Sequence, residues 1–247
     1  GQEILDQVFD VMSLAYKAYF AFITRPLKTK AGEPTSAVYG FLTQLIKILE
    51  ETKPDAVVAA FDSKEKTFRH DMYPAYKSNR AEMPEDMIPQ IGRIREVIEA
   101  FNIPVMIQPG LEADDLAGIT ATAGSRIGYK VILLSPDKDY VQLVDENVTI
   151  LRTVRGSNDF EELTPESVRV KYGFEPLQII DYLALIGDSS DFIPGVPGIG
   201  EKTALPLIQK HGTIEAIYQN LESVTPAGVK AKLEKGKESA FLSKKLI

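Results

Sequence analysis

Apolar and polar positions alternate along the chain in a way that predicts two kinds of element in turn. Short β-branched or apolar runs at Val8 to Asp10, Ala56 to Asp62, Val105 to Gln108, Val131 to Ser135 and Val148 to Leu151 have the length and continuity of strands buried on both faces. Between them, apolar residues recur at helical spacing. From Ser36 to Glu51 they fall at Val38, Phe41, Leu42, Leu45, Ile48 and Leu49, and a second helical pattern, Asp86 to Phe101, is stopped by Asn102-Ile103-Pro104. Strands alternating with helices predict an α/β fold, a mostly parallel central sheet flanked by helices. Past about Arg155 the strand signals fade. Pro165 and Ser167 open one helix and Gln178 to Ile186 form another, so the expected organisation is an α/β core over 1–155 and a helical region over 156–247. Neither solenoid repeats nor low-complexity stretches interrupt this plan.

The predicted strands share a feature at their ends. Asp10 ends the first run and Asp62 the second; Glu112, Asp114 and Asp115 follow the third, and Asp137 and Asp139 follow the fourth. In open parallel sheets the ligand site lies beyond the carboxyl ends of the strands, so these acids are expected to converge. Carboxylates brought close together raise one another's pKa values unless a cation neutralises them. A hard divalent ion such as Mg²⁺ is the simplest remedy, and so large an acidic set suits two ions with an outer shell of water-mediated contacts. Any one of these Asp residues is more often a helix cap or turn former. The repeated clusters EADD at 112–115 and DKD at 137–139 favour the metal reading. A second acidic group, Gly187-Asp188-Ser189-Ser190-Asp191, would place Asp188 and Asp191 on one side of a helical turn.

Composition narrows the chemistry further. With no cysteine, disulfides, thiolate-bound zinc and cysteine nucleophiles are excluded, and His70 and His211 are too few for a histidine metal site, which leaves oxygen ligands. No run approaches the roughly 20 apolar residues of a membrane span, so no membrane partner is expected and the reading is cytoplasmic. A net charge of -7 runs against a nucleic-acid partner. Setting nine metal-site acids aside, however, leaves 26 of the 35 acids against 28 bases, a slightly basic remainder.

Two further segments point to nucleic acid. GVPGIGEKTA at 195–204 places Gly195, Gly198 and Gly200 around Pro197, with Lys202 and Thr203 opening a helix. Such a turn lets backbone N–H groups approach a phosphate, in the manner of a helix-hairpin-helix, here expected over about 187–212. It is not a nucleotide-triphosphate P-loop, because the glycine spacing is wrong and no strand precedes it. The stretch from Lys64 to Arg80 sets Lys64, Lys66, Arg69, Lys77 and Arg80 against Glu65 and Asp71, with Phe68, Tyr73 and Tyr76 interleaved. Basic side chains between aromatics suit single-stranded nucleic acid, although a charge run is more commonly a solvated face.

Taken together, TSAVYGF, VVAAFDSKEKTFRHDMYPAYKSNR, PGLEADDLAGI, LSPDKDYVQLV, KYGFEPLQIIDYLALIGDSSDFIPGVPGIGEKTA and LSKKLI resemble the 5′-nuclease domain of bacterial DNA polymerase I and, more distantly, the flap endonucleases. The resemblance spans nearly the whole chain. It implies a PIN-like 5′-nuclease fold with a helical arch at about 64–82, and a two-metal phosphodiesterase acting on flapped, nicked or branched DNA and on RNA–DNA junctions in the bacterial nucleoid. The implied metal-site acids are Asp10, Asp62, Glu112, Asp114, Asp115, Asp137, Asp139, Asp188 and Asp191. The first ion is assigned mainly to Asp10, Asp62, Glu112, Asp114 and Asp115, and the second mainly to Asp137, Asp139, Asp188 and Asp191. The ions are two Mg²⁺, with Mn²⁺ as a substitute, and the resemblance adds K⁺ at the 195–200 hairpin. Lys77 and Arg80, with Arg69, would stabilise the reacting phosphate. Lys64, Lys66, Tyr73, Tyr76, Gly195, Gly198, Gly200, Lys202 and Thr203 would contact DNA. A polymerase portion in a longer chain would be the covalent partner. Three positions depart from the pattern: Val11 where glycine is frequent, Pro136 in place of glycine, and Phe192 in place of asparagine. Two rival readings are a non-catalytic DNA-binding module, which leaves the converging acids unexplained, and a single-strand ribonuclease, which would not need the hairpin.

Overall fold

The computed structural model describes residues 4–154 and 159–247, so the boundary expected at Arg155 lies outside the described residues. In chain order the elements are β1 (Leu5–Asp10), α1 (Val11–Ala21), α2 (Ser36–Thr52), β2 (Ala56–Ala60), α3 (Phe68–Met72), α4 (Ile88–Ala100), β3 (Val105–Met106) and α5 (Ala113–Arg126). There follow β4 (Lys130–Leu134), β5 (Val148–Thr153), β6 (Phe160–Leu163), α6 (Pro165–Tyr172), α7 (Ile179–Ile186), α8 (Glu201–His211), α9 (Ile214–Gln219), α10 (Ala227–Lys235) and α11 (Lys237–Leu246). The chain divides into two compact units, one of Gly1–Thr67 with Glu82–Thr164, the other of Phe68–Ala81 with Pro165–Ile247.

The first unit is built on a single sheet of order β3-β2-β1-β4-β5-β6. Strand β1 lies at its centre, parallel to β2 on one side, with Val8 opposite Val58, and to β4 on the other, with Val8 opposite Leu133. All other pairings are parallel except β5 with β6. The strand order therefore reverses beside β1, the position where the carboxyl ends of a parallel sheet open a crevice. Burial explains the unbroken apolar reading of these strands. Val8, Phe9, Ala59, Leu133, Leu134 and Ile150 are all sealed from solvent, and Phe41, Leu45 and Ile48 of α2 join Ile94 and Ile98 of α4 in the core on one face.

Several expected boundaries shift. The first strand extends back to Leu5, the second stops at Ala60 so that Asp62 lies beyond it, and the third keeps only Val105–Met106 of the expected four residues. Strand β6 was not expected at all. Its sequence FEEL carries two acids and little apolar surface, and it is held as an edge strand by antiparallel pairing and by Arg152 against Glu161 at 2.7 Å.

The second unit is helical. Helix α7 is buried along most of its length, including Asp181, whose carboxylate accepts from Ile214 N at 2.9 Å and from Lys244 Nζ at 2.6 Å. A single-turn 3-10 helix at Pro176–Gln178 precedes it, so the α-helix begins at Ile179 and not at Gln178. The arch, expected at about 64–82 as part of the 1–155 core, is corrected here: residues 68–81 fold with this unit as α3 followed by consecutive turns, because their buried side chains pack on its helices. Tyr76 packs there with Ile193 and Leu246, flanked by Tyr73 and Leu242.

Candidate active site

In the first unit Asp10, Asp62, Asp114 and Asp137 come together where the sheet order reverses, and local devices position several of the acids there. Asp10 is both the last residue of β1 and the N-cap of α1, accepting from Ser13 N at 3.2 Å. Its other oxygen accepts from Ser135 Oγ at 2.9 Å and Tyr140 Oη at 3.2 Å. Val11, one of the departures from the resembling pattern, is fully buried in the first turn of that helix, so its side chain serves the core. Asp62 accepts from Ala113 N at 2.7 Å, which ties the end of β2 to the start of α5. Glu112 and Asp115 form a reciprocal capping box on that helix, with Glu112 N donating to Asp115 Oδ2 at 3.0 Å, and Thr67 reaches Glu112 Oε1 at 3.4 Å. Asp137 accepts from Asp139 N at 3.1 Å. Capping and convergence are thus served by the same carboxylates, because helix N-termini and strand ends meet at this edge.

The electrostatics show how crowded this edge is. Burial pushes the Asp10 carboxyl up to about 6, and the charge of Asp62 adds to the rise while hydrogen bonds from Ser13 and Ser135 oppose it. Burial, together with Asp10, Asp114 and Asp137, drives the Tyr140 phenol well above its ordinary value. Tyr140 therefore stays protonated as a donor to Asp10. Sequence reasoning had passed over Tyr140 and Ser135, although Tyr140 directly follows the DKD motif.

Among the described residues, no group of three or more histidine or carboxylate side chains is arranged so that it could hold one ion. The acids form a loose gathering around Asp10 and Tyr140. That spacing accords with mutual repulsion between carboxylates and with the chemistry of Mg²⁺, which keeps several waters and takes few carboxylates directly. The donor set, all hard oxygen, suits such an ion.

The second unit holds the other two acids. Asp188 and Asp191 do not share a helical turn. Reciprocal backbone hydrogen bonds, Asp188 N to Ile193 O at 2.9 Å and Ile193 N to Asp188 O at 2.8 Å, close a tight turn instead, and Gly187 in the left-handed region (φ 73) stops α7 before it. Phe192 adopts φ 59 in this turn. A phenylalanine bears that conformation at a cost of about 1–2 kcal/mol, which asparagine largely avoids. Asp191 is buried and anchors the basic segment: it accepts from Arg80 Nη2 and from Arg80 Nε at 3.1 Å, with Lys77 Nζ at 3.8 Å and Tyr76 Oη at 3.5 Å.

This arrangement sorts the basic segment by exposure. Lys64 and Lys66 are exposed, Tyr73 is half-buried, and Lys77 and Arg80 reach the surface beside Asp191. Tyr76 is only 3% exposed, so its ring offers no face to a base. Arg69, at 8%, donates through Nε to Leu246 O at 2.8 Å, which makes it a strut for the last helix and not a group facing phosphate. These two expectations are corrected, because a segment read as exposed contributes one side of a core.

The glycine segment is a hairpin between α7 and α8, as its spacing predicted. Gly198 and Gly200 are exposed, and their N–H groups find no acceptor among the described residues. The N–H groups of Glu201 and Lys202, which open α8, follow directly, before Thr203 N and Ala204 N donate to Gly200 O; Lys202 is exposed and Thr203 half-buried beside them.

Comparison with known proteins decides what these features belong to. Residues 7–173 match the family described as 5′-3′ exonuclease, N-terminal resolvase-like domain, and residues 174–247 match its C-terminal SAM fold. The chain belongs to the 5′-3′ exonuclease family. It is 43% identical over 246 residues to DNA polymerase I of Synechocystis sp., a match that covers 96% of this chain and 25% of that protein. It is 42% identical over 237 residues to DNA polymerase I of Bacillus subtilis, covering 96% and 27%. The chain thus spans about a quarter of the length of the curated relatives it matches. Among solved structures, a T5 5′-exonuclease with bound zinc superimposes with a TM-score of 0.78 at 20% identity, covering 97% of this chain and 88% of that one. Flap endonuclease-1 from Methanococcus jannaschii gives 0.61 at 19%, covering 94% and 78%. At such identities the two structures share this chain's fold: a mixed α/β sheet flanked by helices, an arch, and helix-hairpin-helix-like helices at the C-terminal end. No helix among the described residues is long and apolar enough to cross a membrane.

Proposed function

We propose that this member of the 5′-3′ exonuclease family hydrolyses phosphodiester bonds near the 5′ end of flapped, nicked or branched DNA, and of RNA–DNA junctions, with two divalent ions. The observation that carries the reading is the coupling of Asp10 to Asp62, and of Tyr140 to Asp10, Asp114 and Asp137, at the edge where the strand order reverses. A binding module would have no use for carboxylates gathered around a buried Asp10 at this edge. Mg²⁺, for which Mn²⁺ would substitute, supplies an activated water near neutral pH and charge stabilisation at the scissile phosphate. Asp10, Asp62, Glu112, Asp114, Asp115, Asp137 and Asp139 would hold the ions largely through water. Asp188 and Asp191 are offered as further acids of the same chemistry. Tyr140 and Ser135 fix the orientation of the Asp10 carboxylate.

In the second unit, Lys77 and Arg80 would exchange Asp191 for a phosphate of the 5′ strand. The hairpin N–H groups with Lys202 would hold duplex backbone without reading bases. The domain division proposed is a PIN-like nuclease core and a helical DNA-gripping region, with the boundary between 155 and 164 and residues 68–81 grouped with the latter. A polymerase portion of the same polypeptide and a place at the bacterial nucleoid complete the reading.

Incubation with flap DNA, single-stranded DNA and RNA, in Mg²⁺ and then with chelator, tests it. Chelator-sensitive cleavage favouring the flap is expected; metal-independent cleavage, or a preference for single-stranded RNA, would sink it. Replacing Lys77 and Arg80 together by alanine should slow single-turnover cleavage about 100-fold or more while duplex affinity changes less than about threefold. A variant that loses duplex affinity but keeps its saturated rate would remove these residues from the chemistry.

A further inference from the structure

Asp10 is only 4% exposed, so what its carboxylate can offer is decided by the groups already on it. An ionised carboxylate has about four acceptor positions, shared equally between its oxygens. Those of Oδ2 are taken: Ser135 Oγ donates there at 2.9 Å and Tyr140 Oη at 3.2 Å. Neither donor turns away easily. Ser135 is sealed from solvent, and its Oγ accepts from Asp137 N at 3.2 Å, which leaves the hydroxyl hydrogen for Asp10. Tyr140 is buried in the 3-10 helix Asp139–Leu143 beside the fully buried Val141. Oδ1 is held more lightly, by Ser13 N at 3.2 Å, and the Ser13 hydroxyl that also acts on this carboxylate can rotate. A phenylalanine at 140 would fill the same buried space, so burial alone gives no reason for the tyrosine hydroxyl; its partner Asp10 does.

We propose that Tyr140 and Ser135 set the choice of ion at this edge: by filling Asp10 Oδ2 with hydroxyl donors they leave Oδ1 as the oxygen that faces a cation, and this favours Mg²⁺ over Ca²⁺. The inference rests on the reading that the acids around Asp10 hold divalent ions. A carboxylate confined to one oxygen, in direct contact or through a water, suits a small ion that keeps an octahedral shell and takes few carboxylates. Ca²⁺, with longer bonds and about six to eight oxygen ligands, gains from carboxylates that can turn both oxygens toward it. Asp10 as held here cannot. Both hydroxyls come from the segment that carries Asp137 and Asp139, so the turn that brings those acids to the edge also restricts Asp10. Tyr140 and Ser135 are thus positioning residues that act through Asp10.

Calorimetric titration with Mg²⁺ alone and with Ca²⁺ alone, without DNA and at one pH, tests it on the wild-type chain, Tyr140→Phe, Ser135→Ala and Asp10→Asn. The Asp10→Asn variant identifies the binding step that depends on this carboxylate, and the ratio of the two affinities at that step is compared among the others. Any change in the charge of Asp10 acts on both ions alike and cancels in the ratio. Tyr140→Phe removes only the hydroxyl and keeps the ring, and it should raise Ca²⁺ affinity relative to Mg²⁺ by about tenfold. Its cleavage in Mg²⁺ should become about tenfold more sensitive to added Ca²⁺. Ser135→Ala opens the same oxygen from the other side and should shift the ratio in the same direction; it carries the comparison if circular dichroism shows Tyr140→Phe to be unfolded. A ratio unchanged within about twofold, or a shift toward Mg²⁺, would overturn the proposal while leaving the metal reading in place. A wild-type chain that binds neither ion, or that loses no binding step in Asp10→Asn, would remove the metal reading of Asp10 and the proposal with it.

Discussion

Asp115→Asn is expected to reduce Mg²⁺-dependent cleavage by about three orders of magnitude while leaving the fold and flap binding almost unchanged. The separation of these effects follows from what Asp115 does in the structure. Its Oδ2 accepts from Glu112 N at 3.0 Å and completes the capping box of α5, a role that the carbonyl oxygen of asparagine can also fill. Melting should therefore fall by no more than about 3 °C. What asparagine cannot supply is the negative charge that would draw a divalent ion into the gathering of acids around Asp10. Losing that charge also relieves repulsion of an incoming phosphate, so binding measured in Ca²⁺ should hold or tighten slightly. Near-normal turnover in this variant would remove the carboxylates at 112–115 from the proposed metal chemistry.

Gly195→Ala is expected to destabilise the second unit by about 4 kcal/mol or more and to abolish DNA binding with it. Gly195 has φ +61, and a Cβ there would stand 2.4 Å from Gly187 N, 2.6 Å from Ile186 C and 2.8 Å from Leu185 O. All three atoms are backbone at the end of α7, so no side chain can swing aside. Gly187 faces the same crossing, where a Cβ would meet Ile193 O at 2.5 Å and Gly195 N at 2.9 Å. The two chain segments touch at these glycines, and the contact is sealed by Val196 N donating to Leu185 O at 2.8 Å and Gly195 N to Ser243 Oγ at 2.9 Å. Gly200→Ala is the matched control: a Cβ there meets nothing within 4 Å, φ is -106, and a change below about 1 kcal/mol is expected. Urea unfolding followed by circular dichroism compares the two. Equal midpoints would show that the glycine crossing is not what holds the hairpin.

These two variants mark different depths at which the sequence could be read. The strands around β1 were legible because they are buried on both faces, and continuous apolar runs such as Val8-Phe9 and Val131 to Leu134 follow directly from that burial. Helices α2 and α4 were legible from periodicity for the same reason. Strand β6 was not, because an edge strand can carry Glu161 and Glu162 on solvent and is held by its partner rather than by its own apolar content. Asp188 and Asp191 were misplaced on a helix because spacing alone cannot distinguish a helical turn from a turn closed by a backbone bridge. Arg69 and Tyr76 were read as exposed because a run of mixed charge gives no sign that one of its faces will be covered by α11.

The sequence by itself determined the α/β class, the acids at the strand ends, the glycine hairpin and the membership of a nuclease family, since each is written in local spacing or in ordered motifs. Only the tertiary structure decided that Tyr140 and Ser135 hold Asp10, that Asp191 is met by Lys77 and Arg80, and that Lys232 reaches the Gly198 carbonyl. Those partners lie far apart along the chain or on separate turns and helices. Their pairing depends on how these pack, and a sequence pattern records the residues without recording the distance between them.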